Sequence, residues 1–213
     1  KSFYKGGSVK KGQRVIWNRG VMCGECFFCR NGESSLCPSR WAYGIHRSIT
    51  EAPYVVGCYS EYLVLDAKTD IFPVDSDIDP AVLVSASCSG ATTAHAFDEV
   101  PPEKGDIVLV QGPGPIGVFA VAFAKKMGAG DIIVIGGTES RMDICREAGA
   151  DHLLNRHEHD ISQRKEMIMD LTNGRGVDAA YECVGNMNAV YEGTELLRRG
   201  GAYVSMGFGA PGG

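Results

Sequence analysis

Cys23, Cys26, Cys29 and Cys37 fall within fifteen residues, in the run CGECFFCRNGESSLC. The pattern Cys-x2-Cys-x2-Cys-x7-Cys lets a turning backbone aim successive sulfurs at one point. Four thiolates close a tetrahedral zinc shell and leave no position open for a substrate. Gly24 and Gly32 permit the tight turns this needs, and Arg30 and Arg40 stand near enough in sequence to offset the charge of a zinc tetrathiolate. Two disulfides or a redox Cys-x-x-Cys pair are the competing readings. Two overlapping Cys-x-x-Cys units with a fourth cysteine are a poor redox design, so the expectation is a structural zinc stapling the loop 23–37.

A second pattern with chemical content lies further on, in GDIVLVQGPGPIGVFAVAFAKKMGAGDIIVIGG. Gly112, Pro113, Gly114, Pro115, Ile116 and Gly117 stand between an apolar run, Ile107 to Val110, and an apolar helical stretch reaching about Met127. A β-rich run, Ile132 to Ile135, follows. Strand, glycine turn, helix and strand in that order give each glycine a task. Gly112 makes the tight turn, Gly114 lets the backbone approach a pyrophosphate, and Gly117 lets the helix pack closely on the strand. Free N–H groups at the helix N-terminus then face the phosphates.

The elements that position these residues alternate. Ala150 to Leu154 reads as a third strand, and Asp160 to Leu171 as a helix with apolar residues at Ile161, Met167, Ile168 and Leu171. NGRGVDAAYECVG reads as a turn and a strand, Ala189 to Arg198 as a helix stopped by Gly200 and Gly201, and AYVSMGF as a fifth strand. Repeated strand–helix units predict an α/β fold with a doubly wound parallel sheet, one strand short of the six the fold often has. The chain's 213 residues, 44% of them hydrophobic, suffice for a buried core. A net charge of -5 leaves no basic footprint for nucleic acid. No apolar run reaches the roughly 18 residues that would span a membrane. Cys58, Cys88, Cys145 and Cys183 are scattered, unlike a secreted disulfide scaffold, so a reducing, cytoplasmic setting is expected.

Together the lobe and the turn resemble the zinc-dependent alcohol dehydrogenases of the medium-chain dehydrogenase/reductase superfamily. The resemblance also rests on VKKGQRV, GCYSEYLVL, SCSGATTAHAF, REAGADHLL and DAAYECVG. It implies a GroES-like β-rich catalytic domain over 1–88, partial and carrying the zinc lobe, and a partial Rossmann dinucleotide-binding domain over 89–213. It implies that the chain is a piece of a longer protein, which would form a homodimer or homotetramer. It implies a second, catalytic zinc in that parent. Of its ligands only the later cysteine has a counterpart here, Cys88; His46 and His95 stand in no matching motif. In such enzymes zinc binds the alcohol oxygen and lowers its pKa, and the carbon passes hydride to the nicotinamide of NAD or NADP. By the same resemblance Thr92 lies near the nicotinamide, while Val184-Gly185 and Met206-Gly207-Phe208 follow strand ends lining the cofactor cleft. Plain strand-end packing would account for those residues equally.

An acid at the end of the second strand usually binds the ribose hydroxyls of NAD. Counting back from EAGAD, Gly136 stands there, and it leaves room for the extra phosphate of NADP, with Gly137 and Thr138 as donors. Glu139 nearby opposes this, and Arg141 matches a basic position that touches the ribose of either cofactor. NAD and NADP both stay open. The function expected is hydride transfer between an alcohol or polyol and NAD(P), giving an aldehyde or ketone. A non-catalytic nucleotide-binding protein of the same fold is the alternative. A zinc-binding interaction module is argued against by the glycine turn and the repeated strand–helix units.

Overall fold

The computed structural model describes residues 9–74 and 77–207. The chain divides into two compact units, Lys1–Ser87 and Cys88–Gly213.

The first unit contains little regular structure. Strand β1 (Val15–Trp17) pairs antiparallel with β4 (Ile71–Pro73), and β2 (Gly20–Val21) pairs antiparallel with β3 (Trp41–Ala42). A one-turn helix, α1 (Phe27–Arg30), and a 3-10 turn at Ser34–Leu36 lie between β2 and β3. The core is small: Val21, Tyr43 and Val56 are buried, with Trp17, Trp41, Leu63 and Leu65 packed against them. The Tyr43 hydroxyl meets Thr69 Oγ1 at 2.6 Å and accepts the Asp66 N–H at 2.7 Å. Helix α2 (Pro80–Ser85) closes the unit, with Asp79 as N-cap accepting the Ala81 N–H and Pro80 in the first turn, where its missing donor costs nothing.

The second unit begins with a wide helical turn at Ala86–Gly90, straddling the boundary, and helix α3 (Ala91–Glu99). There follow β5 (Ile107–Gln111), α4 (Pro115–Met127), β6 (Asp131–Gly136), α5 (Glu139–Ala148), β7 (His152–Asn155), α6 (Ile161–Leu171), β8 (Val177–Glu182), α7 (Met187–Glu195) and β9 (Leu197–Ser205). The five strands form one parallel sheet in the order β7-β6-β5-β8-β9. Strand pairing thus steps outward from β5 to β7 and then restarts on its other side with β8. That reversal opens a crevice between β5 and β8 at their carboxyl ends.

Burial on both faces explains why these strands read as continuous apolar runs. Val108, Val110, Ile132, Val134 and Tyr181 pack with Phe97, Ala120, Val121, Ala124 and Cys145 on one face. Leu109, Ile133, Ile135 and Ala180 pack with Leu154, Ile168 and Leu196 on the other. Each fully buried side chain of this size contributes roughly 1.5–3 kcal/mol before entropy is counted. The helix ends follow local rules. Gly128 at +89° and Gly149 at +114° terminate α4 and α5 in the left-handed region, and a reciprocal Asp160–Gln163 capping box starts α6.

Four of the five strands lie where the sequence predicts them, and the fifth, β9, begins at Leu197 rather than at Ala202. The last helix does not extend to Arg198: α7 ends at Glu195, and Leu197 to Arg199 already belong to β9. Gly200 and Gly201 therefore sit inside the strand rather than after the helix. With Gly200 at φ +74° and a register shift between Val177 and Ala179, β9 crosses an irregularity that a helix-stop signal imitates.

Candidate cofactor cleft and metal lobe

In the first unit the backbone folds the four cysteines onto one another. All four sulfurs lie within 4.8 Å of each other. Cys23 Sγ stands 3.9 Å from Cys29 Sγ and 3.6 Å from Cys37 Sγ, far beyond a disulfide bond, and all four cysteines are free. Sulfurs bound to one tetrahedral zinc at about 2.3 Å would stand about 3.8 Å apart, so the donor set fits that ion. The local fold explains the convergence. Gly24 at φ +82° and Gly32 at +83° bend the chain on either side of α1, whose N-cap is Cys26. The Cys26 N–H donates to Cys23 Sγ at 3.4 Å, and Lys68 Nζ donates to the Cys23 carbonyl at 3.2 Å. Backbone N–H groups of Glu25 and Cys26 hold the Cys23 thiol down, to about 6, while burial pushes Cys29 up to about 12. Four sulfurs converging on one point are the donor set a divalent cation takes up. Of the two arginines expected to offset that charge, Arg40 lies against Gly20 and Arg30 is exposed on α1.

The second unit holds a cavity of about 920 Å³ at the carboxyl ends of β5, β6 and β8. Gly112, Pro113 and Gly114 form its floor, Ile135 to Thr138 and Arg141 one side, and Cys183, Val184 and Asn186 the other. Gly112 turns the chain at φ +100°, and a side chain there would meet Val184 Cγ2 at 2.7 Å. A Cβ on Gly117 would run into the Gly112 carbonyl oxygen, so strand and helix approach through these two glycines. A Cβ on Gly114 would meet nothing within 4 Å. Gly114 is also the N-cap of α4, without any side-chain cap, and Pro115 and Ile116 open the helix. The 13-residue helix therefore presents uncapped N–H groups and its positive dipole end to open space, an anion-binding arrangement.

Gly136 is buried, and the space its missing side chain leaves is filled: a Cβ would stand 2.7 Å from Pro113 Cγ and 2.9 Å from Met142 Cγ. The glycine does not itself open room for a phosphate. The cavity lies past it, lined by Gly137, Thr138, Arg141 and Arg156.

Glu182, wholly buried at the end of β8, is a residue the sequence reading passes over. Its Oε1 accepts the Val184 N–H at 2.5 Å and the Gly185 N–H at 2.6 Å, and Oε2 accepts the Ser205 hydroxyl at 2.9 Å. Met206 and Gly207 donate their N–H groups to its carbonyl. The carboxylate thus joins the turns after β8 and β9. A second acid closing a strand that is buried along its whole length was the available signal. Beside it, burial and the Glu182 charge push the Cys183 thiol far above the ordinary range. Gln111, also buried, donates to the Ala189 carbonyl at 2.8 Å and so seats α7.

The other expected site residues are less organised. Cys88 and Thr92 are exposed, in the turn before α3 and in its first turn. Among the described residues the four-cysteine cluster is the one group arranged to hold a metal, and Cys88 is not in it. His46 Nδ1 accepts the Ala42 N–H, and His95 is exposed on α3. Phe208 lies outside the described residues.

Residues 4–76 match the alcohol dehydrogenase GroES-like domain, and residues 115–213 the zinc-binding dehydrogenase domain. The chain belongs to the zinc-dependent alcohol dehydrogenase family. A sorbitol dehydrogenase of Halalkalibacterium halodurans is 34% identical over 188 residues, covering 87% of this chain and 51% of that protein. An alcohol dehydrogenase crystal structure from Thermotoga maritima is 46% identical with a TM-score of 0.90, over 96% of this chain and 57% of that one. A zinc-binding dehydrogenase structure from Sinorhizobium meliloti, bound to NADP, is 25% identical with a TM-score of 0.80, over 97% and 57%. The chain spans about half the length of the curated relatives it matches. No helix among the described residues is long and apolar enough to cross a membrane.

Proposed function

We propose that this chain is the cofactor-holding and zinc-lobe portion of an NAD(P)-dependent oxidoreductase acting on an alcohol or polyol. The observation that carries the reading is the uncapped N-terminus of α4 facing the open space at Gly114, in the crevice where the strand order reverses. The N–H groups there bind the pyrophosphate, Val184 walls the cleft, and Glu182 holds the turn that carries Val184. A bound nicotinamide supplies the hydride acceptor or donor. The four-sulfur lobe takes zinc in a closed shell, which leaves it no site for substrate. Cys88 is a ligand of the second, catalytic metal in the longer protein. The described residues do not complete that site, which takes about three protein ligands, and no step of the reaction is derived through it. The dehydrogenase names of the relatives, a sorbitol dehydrogenase among them, and the NADP held by the Sinorhizobium protein support an alcohol or polyol substrate and a nicotinamide cofactor.

The test is titration of the chain with NADH and NADPH, followed by nicotinamide fluorescence. Saturable binding of at least one at micromolar levels is expected. Failure of both to bind, in protein with a folded sheet, would count against the dehydrogenase and the non-catalytic nucleotide-binding readings alike and leave the zinc-binding interaction module.

A further inference from the structure

The first unit has a cavity of its own, of about 260 Å³, beside the start of the cysteine lobe. Every residue lining it belongs to that unit, and none of them lines the cleft of the second. Val21 and Met22 give it an apolar wall. Trp41, Arg47, Asp66 and Lys68 give it groups with chemistry.

The Arg47 guanidinium lies over the Trp41 ring, 3.9 Å from its centroid. Such a stack anchors a guanidinium by its face and leaves the N–H groups in its plane free to donate. Asp66 Oδ2 stands 3.8 Å from Arg47 Nη2, too far for a hydrogen bond. The other carboxylate oxygen, Oδ1, is already engaged and accepts the Lys68 N–H at 2.9 Å. Lys68 Nζ gives one of its three donors to the Cys23 carbonyl at 3.2 Å. The cavity thus sets two cations against one carboxylate, with more donors than acceptors. Cations with spare N–H groups match an oxyanion, and Val21 and Met22 match hydrocarbon. The volume falls just below the range of pockets that take drug-sized ligands, so the occupant is small.

We propose that this cavity binds a small carboxylate with a short apolar body, its oxygens held by Arg47 and Lys68. The site does not depend on the dinucleotide reading of the glycine cradle. Cys23 lines the same cavity, so an occupant lies against the lobe. Asp66 opposes the anion, which gives the proposal an internal test.

The full chain, purified with its zinc, is titrated with butyrate, inorganic phosphate and butylammonium at constant ionic strength. Trp41 lines the cavity, so tryptophan fluorescence reports binding. Wild type is expected to bind butyrate saturably with a Kd of about 1 mM. Phosphate should bind more weakly, and butylammonium not at all. Arg47→Met keeps an apolar stem beside Trp41 and removes the donors, so it should weaken butyrate about tenfold. Asp66→Asn keeps the oxygen that accepts the Lys68 N–H and removes the opposing charge, so it should tighten butyrate about two- to tenfold. Both variants should keep the zinc content of wild type. Were Arg47→Met to lose its zinc, Asp66→Asn alone would decide. Absence of saturation with butyrate, phosphate bound as tightly as butyrate, or undiminished butyrate binding in folded Arg47→Met would overturn the proposal. So would weaker butyrate binding in Asp66→Asn, because the carboxylate would then be part of what holds the ligand.

Discussion

In the four-cysteine lobe, regular structure amounts to one turn of helix at Phe27–Arg30 and a 3-10 turn at Ser34–Leu36. The glycine cradle, by contrast, is flanked by a buried strand and a 13-residue helix. Among the lobe's cysteines only Cys37 is buried, whereas Val108, Leu109, Val110, Ala120 and Val121 beside the cradle are inaccessible to solvent. On the function proposed above, the lobe takes its shape by converging on a ligand, whereas the cradle is shaped by packing and then offers its backbone to one. In the first case the ligand would be part of the fold; in the second the fold would precede it.

The sharpest way to break that contrast is to remove the metal. Cys26→Ser should lower zinc from one equivalent per chain to none, and the lobe should lose its structure. Coupled zinc binding is worth about 10–16 kcal/mol in small zinc domains. Metal analysis and protease susceptibility around residues 23–37 report it. Full zinc content in the variant, or disulfides in freshly reduced protein, would refute the metal assignment. The midpoint of sheet unfolding in the second unit should hardly move.

Within the cradle, two substitutions three residues apart should separate stability from binding. Gly117→Val drives a side chain into the Gly112 carbonyl and should cost about 3 kcal/mol in urea unfolding. Gly114→Val points into open space, so it should leave unfolding unchanged and abolish dinucleotide binding. If Gly114→Val still binds the dinucleotide, the phosphates lie elsewhere.

Acid should attack the second unit through a specific residue. Burial opposes ionisation of the Asp178 carboxylate, but the Ile107 N–H and the guanidinium groups of Arg175 and Arg198 outweigh it and hold its pKa below the usual range. Its stabilisation is therefore complete above the ordinary carboxylate pKa of about 3.9 and is lost as pH falls through the lower folded value. Asp178→Asn should cost about 2 kcal/mol at neutral pH. The gap from wild type should shrink as pH falls below about 4. A gap that stays constant with pH would mean that the charge is not the cause.

The smallest effect is expected at the edge of the lobe. Lys68→Met loses one exposed hydrogen bond to the Cys23 carbonyl. It should cost below about 1 kcal/mol with zinc retained. Loss of zinc from this variant would show that the lobe leans on its surroundings more than on its four sulfurs.

Much of this architecture is legible locally. The cysteine spacing speaks for itself because all four ligands lie in one loop. The strands show as apolar runs because both faces of the sheet are covered. Helix α5 is faint in sequence because Met142 and Cys145 are its only buried residues. The end of α7 is misleading because Gly200 and Gly201 imitate a helix stop inside β9. Glu182 escapes for a deeper reason: its carboxylate has a task only because β9 lies beside β8. That adjacency is not written within a window of neighbouring residues.

The Glu182 carboxylate has a bearing on how the cleft can change. Val184 is 51% exposed, yet its N–H is tied to a side chain wholly shielded from water. Its amide should exchange with deuterium slowly while its side chain stands in the open. The conformation of the turn belongs to Glu182, and the shape of the wall belongs to residue 184. Mutation can therefore resize the wall of the cleft while the backbone beneath it stays where it is.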